Sequence, residues 1–599
     1  MTLNRPGRRV LSDAILQPFV SYDAFMSATI PADQTKALFY TGGRSFAVTR
    51  DSSGPIQQGN GQRWRPDGMT TVCHFGAAPS ASANTNNSAF ADALAYGGNV
   101  VVPRLGVYEL SAPLIITGIN TRLVGEGPMG STLSFLDTFD GSAVRFEPSS
   151  PLALSQYRGS NGIENIRLVG NGSDRLGRYA LDLLQQEDFI INNVRWAGFS
   201  FGWRVRACQA VKASKIIGRG SGRSASAAAL SGSTHFYIGE AAASNGTQRC
   251  WLVHVSNFTF SAANNIGTCM HLAQTDGLQL VNGYCAQAKG SMLRLDPSAG
   301  HAIVATQFAN VYFDGVAGVG ETPTGIFIPG NTAASSISAD FANCFFGNYD
   351  GQCINADTNN RIRHLSFTNC NFSRGGDRIG IIRGNTSDIG SRIIFSGCVF
   401  RTTPLGLRII GGRTVQVDGV FTDIQDAEAP LHLSGSIGNK KISASFVENT
   451  NNFYIDTSTT SVATQYEWLQ EGSFTPTLRI GSTNVSSANH SLREGQFTRI
   501  GNRIIFEVRL SITSKQSLTG DVEVSGLPFA RGGDVLPAMS VVQSSNSSMS
   551  GGVELAGADI ISGATRIRLR KRGSNGMVLL TAGDITNSFE VSISGSYKI

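Results

Sequence analysis

One six-residue pattern recurs through the middle of this 599-residue chain and constrains its fold more than any other feature. Phe341-Ala-Asn343-Cys344-Phe-Phe346 reads apolar, any, Asn, apolar, any, apolar. Phe367-Thr-Asn369-Cys370-Asn-Phe372, Phe395-Ser-Gly397-Cys398-Val-Phe400 and Val417-Asp-Gly419-Val420 follow it. Phe308-Ala-Asn310-Val311-Tyr-Phe313, Val281-Asn-Gly283-Tyr284, Val255-Ser-Asn257-Phe258-Thr-Phe260, Ile191-Asn-Asn193-Val194-Arg-Trp196 and Ile163-Glu-Asn165-Ile166-Arg-Leu168 precede it, and Val211-Lys-Ala213 fits less well. The third position is therefore Asn or Gly in all but Ala213. The spacing between third positions varies, with a 33-residue step from Asn310 to Asn343 and a 44-residue step from Ala213 to Asn257.

Asn and Gly accept a left-handed backbone with little strain, so one such residue between two short strands makes a sharp bend. Repeating the bend predicts a coil whose Asn side chains stack. Apolar side chains then point inward, with Cys344, Cys370 and Cys398 in one column and Phe313, Phe346, Phe372 and Phe400 in another. Turns of such a coil lie about 4.8 Å apart, and none buries its inner face alone. The expected fold is all-β: a right-handed, single-stranded parallel β-helix. Surplus residues in the long steps leave as loops or an extra turn.

Composition agrees. Gly is 69 of 599 residues, and charged residues are 15%, below the usual ~25%, while apolar residues are 41%. The net charge of +6 comes without a lysine-arginine block, which argues against nucleic acid as partner. The nine cysteines show no metal-ligand spacing and read as reduced core thiols. No signal-peptide h-region opens the chain, and no apolar run has the length needed to cross a bilayer. Neither a metal nor a cofactor is expected, nor membrane insertion.

Three segments are expected. Residues 1–72 read as a small β-rich domain and linker, ending at Gln62-Arg-Trp64-Arg-Pro66-Asp-Gly68. Residues 73–460 hold the coil, with a helix around Asn87–Leu94 capping its open end. Residues 461–599 alternate in period two, as in Arg503-Ile-Ile-Phe506-Glu-Val508-Arg-Leu510, and read as an antiparallel β-sandwich.

Phe75-Gly76-Ala77, Phe90-Ala-Asp-Ala93-Leu94, Gly97-Gly98-Asn99-Val100-Val101-Val102-Pro103, Gly106-Val107-Tyr108 and Gly125-Glu126-Gly127 resemble the opening of the pectate-lyase-like β-helix of bacteriophage tailspikes. Where that family often carries an Asp before the helix, this chain has Asn86-Asn87. Glu471-Gly-Ser-Phe474-Thr-Pro476, Gly495-Gln-Phe497-Thr-Arg499-Ile500-Gly501-Asn502, Gly526-Leu527-Pro528-Phe529 and Gly595-Ser596-Tyr597 are similar to the C-terminal module of tail fibres and spikes. The resemblance implies a homotrimer fixed to the phage tail or baseplate through residues 1–72. It implies assembly in the host cytoplasm and recognition, usually with cleavage, of a bacterial surface polysaccharide.

Glycoside hydrolysis needs two carboxylates, about 5 Å or roughly 6.5–9.5 Å apart. Asp350 lies nine residues after Phe341 and Asp377 ten after Phe367, in nearly matching places, with Asp314 one turn earlier. Glu240, in the long step, completes the catalytic candidates. Arg374 can hold an anion, Tyr312 and Phe345 point outward and suit sugar stacking, and Glu321 sits in a Gly-Glu-Thr-Pro loop. Asp favours turns, and outward aromatics also pack against neighbouring subunits, so each residue has a plain structural alternative. Asp340, His235, His254, His271 and His301 are further candidates, each histidine standing alone in sequence. The expected activity is depolymerisation by a hydrolase. A polysaccharide lyase acting by β-elimination and a non-catalytic receptor-binding spike are the alternatives.

Overall fold

The computed structural model describes residues 17–599, apart from 137–140, 151, 153–157, 174–178, 221–229, 240–249, 262–265, 298–300, 316–322, 331–335, 357–361, 385–390, 426–428, 448–453, 457, 459–464, 467–468, 501–502, 533–537, 543–548, 551–552 and 575. From Asn99 to Asp456 the chain is a parallel β-helix, each turn pairing with the turns before and after it. Three ladders run along it. One starts at Asn99–Val102, the second at Gly106–Leu110 and the third at Leu114–Ile116. The first two meet at the Asn bend.

The bend follows the expected chemistry. Asn165, Asn193, Asn257, Asn310, Asn343 and Asn369 have φ between 51° and 57°, and Gly397 has φ 63°. Side chains link where neighbours allow, Asn193 Nδ2 donating to Asn165 Oδ1 at 2.9 Å and Asn310 Nδ2 to Asn282 Oδ1 at 3.1 Å. Three positions depart from the expected register. Asn282 (φ 56°), not Gly283, makes its bend, because Phe258 pairs with Gly283. A Cβ on Gly283 would lie 1.9 Å from the Phe258 ring, so the glycine is there for that ring. Lys215 (φ 55°), not Ala213, takes the next one, since Ala213 pairs with Val255. Gly419 makes no left-handed bend; it lies in the continuous strand Leu405–Ile424, beneath Cys398. Substituting Asn343 by Ala is expected to cost about 1–2 kcal/mol, read by chemical denaturation, because Ala has no side chain to offset the left-handed conformation.

The interior is filled as the pattern requires. Phe313, Phe346, Phe372 and Phe400 stack with centroids 4.9, 5.1 and 5.2 Å apart, and the column continues through Phe421 to Phe446. Phe308, Phe341, Phe367 and Phe395 form a second column at 4.6–4.9 Å. All nine cysteines are buried free thiols. The 44-residue step is a single turn, since Lys212–Arg219 pairs directly with His254–Ser261. Within the step the strand Leu230–Gly239 joins the third ladder, its register with the next turn shifting between Leu230 and Thr234.

The helix spans Ala83–Tyr96, longer than predicted, with Ser82 capping its start through Thr85 N. Phe90, Ala93 and Leu94 close the coil's end. Asn86 Nδ2 donates to Glu109 O at 3.2 Å and Asn87 Oδ1 accepts from Ala112 N at 3.0 Å, so the two amides tie the helix to the strand Gly106–Leu110 and the turn that follows it. Before the helix, the strand Arg63–Pro66 completes a small N-terminal sheet, with Trp64 fully buried. Phe25, Phe39 and Trp64 belong to the same continuous core as Val72, Phe75 and Phe90. Arg44 also grips Glu126 through both carboxylate oxygens at 2.7 and 2.6 Å. At the other end, Leu469–Phe474 pairs parallel with the last turn and antiparallel with His490–Ile500. Two antiparallel sheets then enclose a second core around Phe506, Val524, Leu569 and Ile593.

Candidate functional site

Aromatic packing closes the lumen along the Phe columns, so the outer face of the turns is where a ligand has room. In the second ladder Tyr284, Tyr312 and Phe345 occupy one outward position on three successive turns. Tyr312 is 39% exposed, and its ring lies 4.2 Å from that of Phe345 with planes 11° apart. Tyr284 lies 5.7 Å on the other side. These rings cover one another, so the column presents edges and hydroxyls outward. Gly347 makes room, since a Cβ there would meet the Phe345 ring at 2.5 Å.

Two residues further along each strand sits Asp314, opposite Ala286 and Gly347. Tyr284 Oη donates to Asp314 Oδ2 at 3.0 Å and Asn348 Nδ2 to Oδ1 at 2.6 Å. Burial, then the bond to Asp314, pushes the Tyr284 hydroxyl up to about 12. Burial and the Asp314 charge also raise Tyr312, while Arg374 acts the opposite way. Arg374 thus lies within electrostatic reach of this group. It sits on a second left-handed corner, formed by Gln287, Asn348, Arg374, Thr402 and Asp423 (φ 53–65°). Sequence reasoning missed this corner because no residue type marks it.

Asp350 and Asp377 keep the one-residue offset of the sequence. Asp350 lies opposite Gly376, whose N–H donates to Tyr349 O, and Asp377 lies opposite Gly351. Asp350 is half-buried. Asp377 is exposed, 3.5 Å from Arg378 Nε, and accepts from Gln352 Nε2 at 3.3 Å. Glu240 and Glu321 lie outside the described residues. Asp340 is paired with His364 at 2.8 Å.

The histidines divide. His235 is fully buried, accepts from the Trp196 indole at 3.3 Å, and burial brings it down to about 4. His254 meets Gln279 at 3.3 Å, and His301 is half-buried ahead of the strand Ala302–Asp314. His271 does not stand alone. In the third ladder Asp182, Arg204, Tyr237, His271, Arg294 and Phe327 are successive outward residues. Tyr237 packs edge-on against His271 at 5.2 Å, and Asp296 lies 3.9 Å from its Nε2 and takes two bonds from Arg294 at 3.0 and 2.6 Å. Burial first, then the Arg294 charge, lowers His271 to about 4, with Asp296 opposing. Asp182 is 2% exposed between Arg204 and Arg206, and Arg204 lies 4.4 Å over the Tyr179 ring. The signal for this row was present: Leu-Asp-Leu, Trp-Arg-Val, Met-His-Leu and Leu-Arg-Leu each set one polar residue beside inward apolar ones. In the C-terminal module a cavity of about 530 Å³ is lined by Phe474, Arg493, Glu494, Gln496, Glu507 and Arg509.

No protein-family model and no curated protein sequence matches the chain. Among solved structures it is similar to the Dettilon tailspike protein gp208, with 13% identity, a TM-score of 0.38, and 88% of this chain and 94% of that one covered. It is similar to the tailspike protein gp49 of Acinetobacter baumannii bacteriophage Fri1, a capsular polysaccharide depolymerase, with 11% identity, a TM-score of 0.40 and 97% of both chains covered. It is also similar to a mutant tailspike of the E. coli bacteriophage HK620 in complex with a hexasaccharide, with 9% identity, a TM-score of 0.45, and 90% and 96% covered. The parallel β-helix itself stands on this chain's own strand pairing.

Proposed function

We propose that the chain is a homotrimeric phage tailspike that binds a bacterial surface polysaccharide and cleaves it by glycoside hydrolysis. In this reading residues 1–72 attach it to the virion, 73–460 carry the site and 461–599 hold the trimer, bind carbohydrate or do both. The observation that carries the proposal is the acid and aromatic group on successive turns: Asp314 held by Tyr284 and Asn348, beside Tyr312, Phe345 and Arg374, with Asp350 and Asp377 just beyond the corner. The backbones of Asp350 and Asp377 are offset by one turn and one residue, about 6 Å, close enough for both side chains to reach one bound glycosidic linkage. Asp350, the more buried, acts as the acid. Asp377, beside Arg378, acts as base or nucleophile.

Asp350→Asn and Asp377→Asn are each expected to lower the release of reducing ends from host polysaccharide at least ~100-fold while light scattering shows the same oligomer. Full activity in both variants would sink the assignment. The His271 group favours a second reading, β-elimination on a uronate, with neutral His271 as base and Arg294 facing the carboxylate. It requires new ultraviolet absorbance from an unsaturated product and loss of that signal in His271→Ala.

A further inference from the structure

A third corner of the coil carries a feature unused by either reading. Glu187, Gln209, Trp251 and Asp276 pair in register on successive turns. The residue after each is left-handed: Asp188, Ala210, Leu252 and Gly277, with φ of 49°, 52°, 51° and 74°. Leu is costly there, because its Cβ crowds the following carbonyl and no side-chain polar group compensates. Yet Leu252 is 68% exposed and Trp251 39% exposed, side by side at the apex. Trp64, Trp196 and Trp203 are buried, and among the described residues no aromatic ring packs on Trp251. The Tyr284–Tyr312–Phe345 rings, by contrast, cover one another. Strain held at an exposed apolar point is a mark of a contact made with something else.

The surroundings define what that is. Gln209 and Asp276 flank the indole on its ladder, Glu187 lies one turn beyond Gln209 with Asp188 exposed beside it, and Gln209 Nε2 donates to Glu187 Oε1 at 2.5 Å. The described side chains around the indole that carry charge at this corner, Glu187, Asp188 and Asp276, are acidic, which disfavours an anionic sugar. A neutral pyranose fits, its C–H face on the electron-rich indole and its hydroxyls donating to carboxylates. We propose that Trp251 and Leu252 form a binding subsite for a neutral hexose unit of the polysaccharide, on a corner distinct from the Asp314–Arg374 group. The proposal rests on the reading that the chain binds polysaccharide, but not on cleavage.

The test is surface plasmon resonance of the whole chain over immobilised dextran, mannan and galactan, with polygalacturonate as the anionic control. Retention on at least one neutral polymer is expected, weakened at least tenfold by Trp251→Ala and largely kept by Trp251→Phe, with polygalacturonate binding unchanged between variants. Leu252→Gly, which relieves the backbone, is expected to weaken the same retention with an equal or higher melting temperature. Equal retention of Trp251→Ala and the unmodified chain overturns this subsite alone. Absence of retention on every polymer overturns the subsite and the polysaccharide reading together. A smaller oligomer in Trp251→Ala by light scattering would assign the corner to a second copy of the chain and overturn the proposal. A lower melting temperature in Leu252→Gly would make the corner structural and do the same.

Discussion

Asp182→Asn is expected to destabilise the coil by about 3–5 kcal/mol, the range for breaking a buried ion pair by removing one partner. The carboxylate is 2% exposed, and Arg204 and Arg206 both bond to it while Ser142 Oγ donates at 3.3 Å. Asparagine keeps the shape but leaves two half-buried guanidiniums with no counter-charge. Desolvation opposes the ionised form, yet the two arginines outweigh it and hold the Asp182 carboxyl below the usual carboxylate range. The measurement is chemical denaturation followed by circular dichroism, or unfolding rates if unfolding is irreversible. Replacing all three residues by apolar ones of similar size is expected to recover much of the loss, because a buried ion cluster recovers little beyond its own desolvation. A single variant within about 1 kcal/mol of the parent would show that water reaches the carboxylate.

The second large effect is acid lability well above carboxylate pH. His74, His235 and His271 are each lowered to about 4, in every case chiefly by burial. His74 packs against Phe39 and Phe46, where the N-terminal sheet meets the coil, with Asp67 acting to raise it. His235 lies between Trp196 and Phe260, and His271 faces Arg294 and Asp296. A histidine whose folded value is depressed binds its proton more readily unfolded, near pH 6.5, than folded. Stability is therefore complete above about pH 6.5 and falls as the pH drops toward 4, by up to roughly 4 kcal/mol per pH unit if all three stay neutral. Asp182 adds its own loss only below about pH 4. The melting temperature is expected to fall steeply between pH 7 and pH 5, and less steeply in His235→Phe, whose ring suits the same aromatic pocket. Equal melting temperatures at pH 7 and pH 5 would refute this account.

What could be read in advance follows from which physics is local. The left-handed bend is a property of one residue and its own backbone, so Asn165, Asn193, Asn343 and Asn369 announced themselves. The inward columns depend on alternation within one strand, so Phe346, Phe372 and Phe400 did too. The capping helix was legible because its apolar spacing faces one side. The second corner was not, because Gln287, Arg374 and Thr402 take the same bend without being types that favour it. There the neighbouring turns impose the conformation.

The candidate site divides along the same line. The sequence by itself determined a coil with an apolar lumen, and hence that function lies on outward positions such as Tyr312, Asp314 and Arg374. Only the tertiary structure decided which outward residues meet. The surplus residues between turns, not local preference, set the register, and one residue of slip exchanges neighbours. It made Asn282 rather than Gly283 the bend, put Asp350 opposite Gly376, and set His271 beside Tyr237 and Arg294.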